Sequence, residues 1–182
     1  VNCLNLAEVL PLTNDMDAVK DTINDMGAQG YTHIPFGAVW GWRTLSPGAP
    51  FTEGVEYDDP DVDKVLIIMT DGENTVPSQS TMNKSRYTAF GYVRQGRLGT
   101  TTSTGTAADE LDDMLIEVCD NAKANGIIVY TIGFQVYSSN IQNLLNDCAS
   151  EADNYFNSPS ASDLNSAFAA IAVDLSNLRL IK

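Results

Sequence analysis

Apolar and polar positions alternate along this chain in blocks whose lengths separate strands from helices. Val65 to Met69 are five apolar residues in a row, rich in β-branched types and too short for a helix. They read as a strand buried on both faces, the form a parallel sheet takes in sequence. The run ends in Thr70-Asp71-Gly72, so Asp71 falls at the carboxyl end of that strand, where open α/β sheets bind ligands. Residues 127–134 (IIVYTIGF) predict a second buried strand and 154–158 (NYFNS) a short third. Residues 4–12 read as a further strand, which Pro11 confines to an edge or terminus.

Four helices fill the spaces between these runs. Over 13–27, Thr13 or Asn14 serves as N-cap, Met16, Val19, Ile23 and Met26 share a face, and Gly27 ends the helix. Over 107–126, Leu111, Met114, Leu115, Val118 and Ala122 turn inward; over 138–150, Ile141, Leu144, Leu145 and Cys148 do so. The last helix opens with a Ser160 to Asp163 capping pattern and carries Leu164, Phe168, Ile171, Leu175 and Leu178 in one stripe. Strands alternating with helices imply βαβ units with right-handed crossovers. The expected fold is α/β, a doubly wound, mostly parallel sheet flanked by helices.

Two polar stretches interrupt the alternation. "EGVEYDDPDVDK" crowds six acids into one loop, yet it lacks the glycine and closing glutamate of an EF-hand, so a solvated acidic loop is the better reading. Residues 76–106 form a long loop insertion holding Lys84, Arg86, Arg94 and Arg97 among Tyr87, Phe90 and Tyr92. Loops of that length are generally functional or mobile. No GK[ST] follows its glycines, so it is not a phosphate loop. Leaving the carboxyl end of the Asp71 strand, it should share a rim with that acid.

Length and charge narrow the function. The 182 residues suit one domain. A net charge of −14 opposes nucleic acid and anionic membrane as partners and favours cations. No apolar run is long enough to span a bilayer, and a start without methionine leads us to expect a piece of a longer protein. Cys3, Cys119 and Cys148 lack zinc-site spacing and leave either three free thiols or one disulfide with an orphan. Two crossovers stepping the same way would set successive helices side by side on one face. Cys119 and Cys148, each late in its helix, could then pair, in an oxidising compartment.

Thr32, on a loop after Gly30, and the strand-end Asp71 are both hard oxygen donors suited to magnesium. Together, G-x-T-x-x-x-x-G and an apolar strand ending in T-D-G resemble two of the three parts of the metal-ion-dependent adhesion site of von Willebrand factor type A domains. More narrowly, "THIPFGAVWGWRTLSP", "VLIIMTDGENT", "SRYTAFGYVRQGRLG" and "YFNSPSASDLNSAFAAIAVDLSNLRL" resemble the carboxyl-terminal part of TadG-like proteins of bacterial tight-adherence (Flp) pilus systems. The resemblance implies that residues 1–182 are the carboxyl-terminal part of one such domain, with Mg2+ (or Mn2+ or Ca2+) held by Thr32, Asp71 and a D-x-S-x-S motif, and a site open to a partner's carboxylate. It also implies an extracytoplasmic location and an amino-terminal membrane anchor beyond this chain. No D-x-S-x-S occurs here. The family carries it on the first, central strand, which is therefore expected outside this sequence or on a separate chain.

Rival functions fit less well. His33 is the only histidine, which removes two-histidine metal chemistry; no G-x-S-x-G elbow serves a serine triad, and Asp71-Gly72-Glu73 is not the D-x-D of a phosphotransfer aspartate. A dinucleotide fold lacks its glycine fingerprint. A structural scaffold with a degenerate metal site stays open. Trp40 and Trp42 read as indoles anchoring a loop rather than a binding platform, with Arg43 placed to stack on one. For contact with a protein partner, Tyr87, Tyr92 and Arg94 are the candidates, because Tyr and Arg dominate binding hot spots.

Overall fold

The computed structural model describes residues 7–181, with side chains described through Asn177. Cys3, Leu178 and the first part of the strand expected at 4–12 lie outside that description, and residues 7–12 form no strand. Three parallel strands lie in the order β1 (Val65–Thr70), β2 (Ile128–Phe134) and β3 (Tyr155–Ser158). Val65 pairs with Ile128, and Thr131 with Tyr155. Five α-helices accompany them: α1 (Met16–Asn24), α2 (Ile34–Leu45), α3 (Thr104–Ala124), α4 (Ser139–Cys148) and α5 (Ala161–Ile181). Among the described residues no helix is long and apolar enough to cross a membrane.

Helices cover both faces of the sheet. On one, Leu66, Ile68 and Val129 meet Ile34 and Ala38 of α2, Leu115 and Cys119 of α3, and Cys148 of α4. On the other, Tyr130 and Ile132 meet Ile171 of α5, with Phe156, Leu164 and Leu175 around them. α3 starts where the Ser103 hydroxyl accepts from the Thr106 N–H (3.1 Å) and stops at Asn125 and Gly126, whose φ of 75° suits only glycine well. α4 follows α3 on the same face, and a disulfide joins Cys119 to Cys148, with Cα atoms 5.2 Å apart. Ser160 and Asp163 form the hydroxyl–carboxylate pair that opens α5 (2.6 Å).

Several expectations need correction. β1 is not buried on both faces: Ile67 and Met69 are 39% and 54% exposed, because α5 covers mainly β2 and β3 and its apolar cluster takes in only Val65 of β1. α1 is shorter than expected and is capped by Asp15, whose carboxylate accepts from the N–H groups of Asp17 and Ala18, rather than by Thr13 or Asn14. Its apolar face is only partly covered: Val19 is half-buried, while Met16, Ile23 and Met26 are all exposed. The two tryptophans lie on α2, half-buried. Trp42 donates from Nε1 to the Tyr57 hydroxyl (3.0 Å), and Trp40 sits edge-on between Phe36 and Phe51. Among the described residues the cations over aromatic rings are Lys64 on Tyr57 and Arg86 on Tyr31, not Arg43 on a tryptophan.

Candidate functional site

The carboxyl end of β1 closes in a small hydroxyl-stabilised turn. Buried Thr70 donates from Oγ1 to the Gly72 carbonyl (2.9 Å) and accepts from the Gly72 N–H (3.3 Å), leaving Asp71 exposed at the rim. Thr32 reaches the same rim from the other side, on the loop that enters α2. Two bonds clip these distant segments together. The Thr75 N–H donates to the Thr32 carbonyl (2.9 Å), and the Ile34 N–H donates to Oδ1 of Asn74 (2.7 Å). Asn74 is buried and spends its amide on Oδ1 of Asp112 in α3 (2.7 Å), so one side chain ties α2, the β1 exit and α3.

Electrostatics at this junction favour neutral forms. Burial raises the Asp112 pKa; the bond from Asn74 offsets part of that, while Asp109, Glu73 and Asp113 add to it. Burial likewise lowers the pKa of His33, against a hydrogen bond to the Thr75 backbone. His33 fills the cap position of α2 without a side-chain cap bond, and its ring lies 5.9 Å from that of Phe90. Nothing in this geometry supplies a nucleophile beside a base.

The donor set fits a divalent cation in kind and falls short in number. A hydroxyl and a carboxylate are suitable oxygen ligands, but magnesium takes six. Among the described residues no three His, Cys, Asp or Glu side chains gather to hold a metal. Asn74 and Asp112, which sequence reasoning missed, position the rim. The signal for Asp112 was slight: an acid next to Leu111, at the margin of an apolar stripe.

Beside the rim, a groove of about 320 Å³ runs between α2 and β1, floored by Leu66 and Ile68 and walled by Gly37, Ala38 and Gly41, with Thr32 at its mouth. A side chain at Gly41 would meet the Leu66 methyl at 2.8 Å, which explains the glycine at that position. β1 hydrogen-bonds β2 on one edge and no strand on the other among the described residues.

The insertion is more structured than its polarity implies. Val76, Val93 and Leu98 bury against Ala107 and Leu111 of α3. Buried Ser85 accepts from the Val93 N–H (3.0 Å) and donates to the Arg86 carbonyl (2.9 Å), and short bridges join Ser78 to Ser85 and Thr88 to Gly91. Phe90 docks the loop on α2 by meeting His33 and Phe36. Tyr87 and Tyr92 pack edge to face at 5.1 Å, and Arg94 is exposed nearby in sequence.

No family model matches the chain, and no curated protein matches it. Solved structures do. The vWF domain of the type V pili tip protein Mfa5 from Porphyromonas gingivalis superposes with a TM-score of 0.60 at 16% identity, over 91% of this chain and 74% of that one. The pilus adhesin SpaC from Lactobacillus rhamnosus GG gives 0.54 at 16% identity over 88% of this chain, which spans only 21% of the adhesin.

Proposed function

We propose that this chain, whose fold is of the von Willebrand factor A type, is a non-enzymatic protein-binding module of an adhesive pilus system, acting through a divalent cation shared by Thr32 and Asp71. The observation that carries the proposal is the clip that brings the Thr32 loop onto the exit of β1, through Thr75 and Asn74. Magnesium suits the oxygen donors, and manganese or calcium accept similar sets. The ion would supply a positive centre for a partner's carboxylate, while this chain's residues hold Thr32 and Asp71 in place. Further donors are proposed to arrive on a strand lying along the open edge of β1, from a preceding segment of the same domain or a separate chain. The loops of the rim, with Tyr87, Tyr92 and Arg94, face the partner in this reading.

Pilus association draws on the likeness to the Mfa5 and SpaC structures; the tight-adherence kind draws on the TadG-like sequence segments. A location outside the cytoplasm is supported by the buried disulfide. Isothermal titration of magnesium or manganese into the domain with its preceding segment present is the test. Binding should occur, vanish in Asp71→Ala and weaken in Thr32→Ala. Absence of binding would favour a structural scaffold instead, a reading that the lack of three convergent metal-ligating side chains among the described residues supports.

A further inference from the structure

Charge in this chain is segregated. From Val76 to Ser103 there is no aspartate or glutamate, whereas Lys84, Arg86, Arg94 and Arg97 all fall there, in a chain carrying −14 overall. All four are exposed. The ion pairs among the described residues are Lys20 with Asp17 and Lys123 with Asp120, both inside single helices, so none of the four loop cations is in one; the carboxylate that approaches the loop is Glu110 of α3, which lies against Gly99, away from Arg86 and Arg94 in sequence. Aromatic rings stand among these cations: Tyr87 is 59% exposed and packs on Tyr92, and the Arg86 guanidinium lies 6.0 Å from the centre of the Tyr31 ring. The Ser85 bonds and the Val93 and Leu98 anchors hold the loop in one shape, so binding would order little backbone.

We infer that this acid-free loop is a docking surface for an extended, carboxylate-bearing segment of a partner protein, bound through Arg86 and Arg94 with Tyr87 and Tyr92 as aromatic contacts, independently of any metal ion. The guanidinium fork matches a carboxylate bidentately, and Arg with Tyr is the composition of binding hot spots. Long polyanions are disfavoured because the net charge of the whole chain repels them, whereas a short peptide meets mainly charges within a Debye length of about 8 Å. The inference rests on the protein-binding role proposed above and names the chemistry of the partner.

The test is fluorescence anisotropy in EDTA with a labelled peptide of alternating Glu and Tyr, a Gln-Tyr peptide as control, and heparin as competitor. Saturable binding of the Glu peptide is expected, weaker by about tenfold or more for the Gln peptide and for the Arg86→Gln/Arg94→Gln variant. Lys20→Gln/Lys123→Gln, which changes net charge equally away from the loop, should bind as the parent does. No saturable binding, equal binding of both peptides, indifference to the arginine variant, or tighter binding of heparin each overturns the inference. Parallel manganese titration separates the two proposals: peptide binding without manganese binding sinks only the metal-assisted reading, and the reverse sinks only this one.

Discussion

Asn74 shows how one buried amide can set a rim. Its oxygen takes the Ile34 N–H from 40 residues away and its nitrogen serves Asp112 from 38 residues the other way. Removing a group of this kind leaves a buried backbone donor unsatisfied, a loss of about 1–3 kcal/mol. Asp112 is the titrating end of this chain of bonds. Its pKa is raised by burial, so the folded state holds its proton more tightly than the unfolded chain does. Stability from this group is therefore highest below the ordinary carboxylate range and declines as pH rises through the raised folded value. Asp112→Asn keeps an oxygen for Asn74 to donate to and removes repulsion from Asp109, Glu73 and Asp113. The variant should be more stable than the parent at neutral pH, with the gain shrinking as pH falls through the raised folded value and gone once pH is below the ordinary carboxylate range of about 4, checked by urea denaturation across pH. The position of Asp71 at the end of β1 was legible because an apolar strand ran straight into it. Asn74 was not, since asparagine two residues after Asp71-Gly72 reads equally well as a turn residue until the contact with Ile34 is seen.

At the scale of elements, periodicity located β1 to β3 and α3 to α5, and α3, α4 and β2 bury the apolar residues their sequences display, whereas β1 leaves Ile67 and Met69 exposed and α5 leaves Phe168 exposed. α2 was not recognised as a helix. Its sequence, IPFGAVWGWRTL, mixes two glycines with two tryptophans, and His33 offers no side-chain cap to mark the start. α1 carried a clear stripe, but periodicity cannot say how much of it is covered, and here Met16, Ile23 and Met26 stay exposed. The pairing of α3 with α4 was legible through topology, and the disulfide between them closes a separation of 29 residues. Chain entropy assigns such a cross-link about 3–4 kcal/mol. Cys119→Ala/Cys148→Ala should lose stability of that order in urea denaturation, and the parent, unfolded without reductant, should leave both cysteines unavailable to alkylation in mass spectrometry.

For the whole molecule, the unfinished places converge on one side. β1 has an open edge, Ile67 and Met69 lack a cover, and the groove against α2 ends at Thr32. In a parallel pair alternate residues bond to either side; Ile128 donates to the Lys64 carbonyl, so Val65, Ile67 and Met69 direct their backbone groups to the open edge. An edge this apolar is an aggregation hazard when left bare. A strand supplied along it would pair those groups and bring further oxygen donors toward Asp71, joining stability to metal binding in one event. Amide exchange distinguishes this arrangement from a chain that is complete without it. The Ile67 and Met69 amides should exchange fast in residues 1–182 alone and become protected when the proposed preceding segment is restored or added, while the Leu66 and Ile68 amides, directed toward β2, stay slow in both. Protection of Ile67 and Met69 in the isolated chain would mean that something within it already covers the edge, and the incoming strand would then have no place to bind.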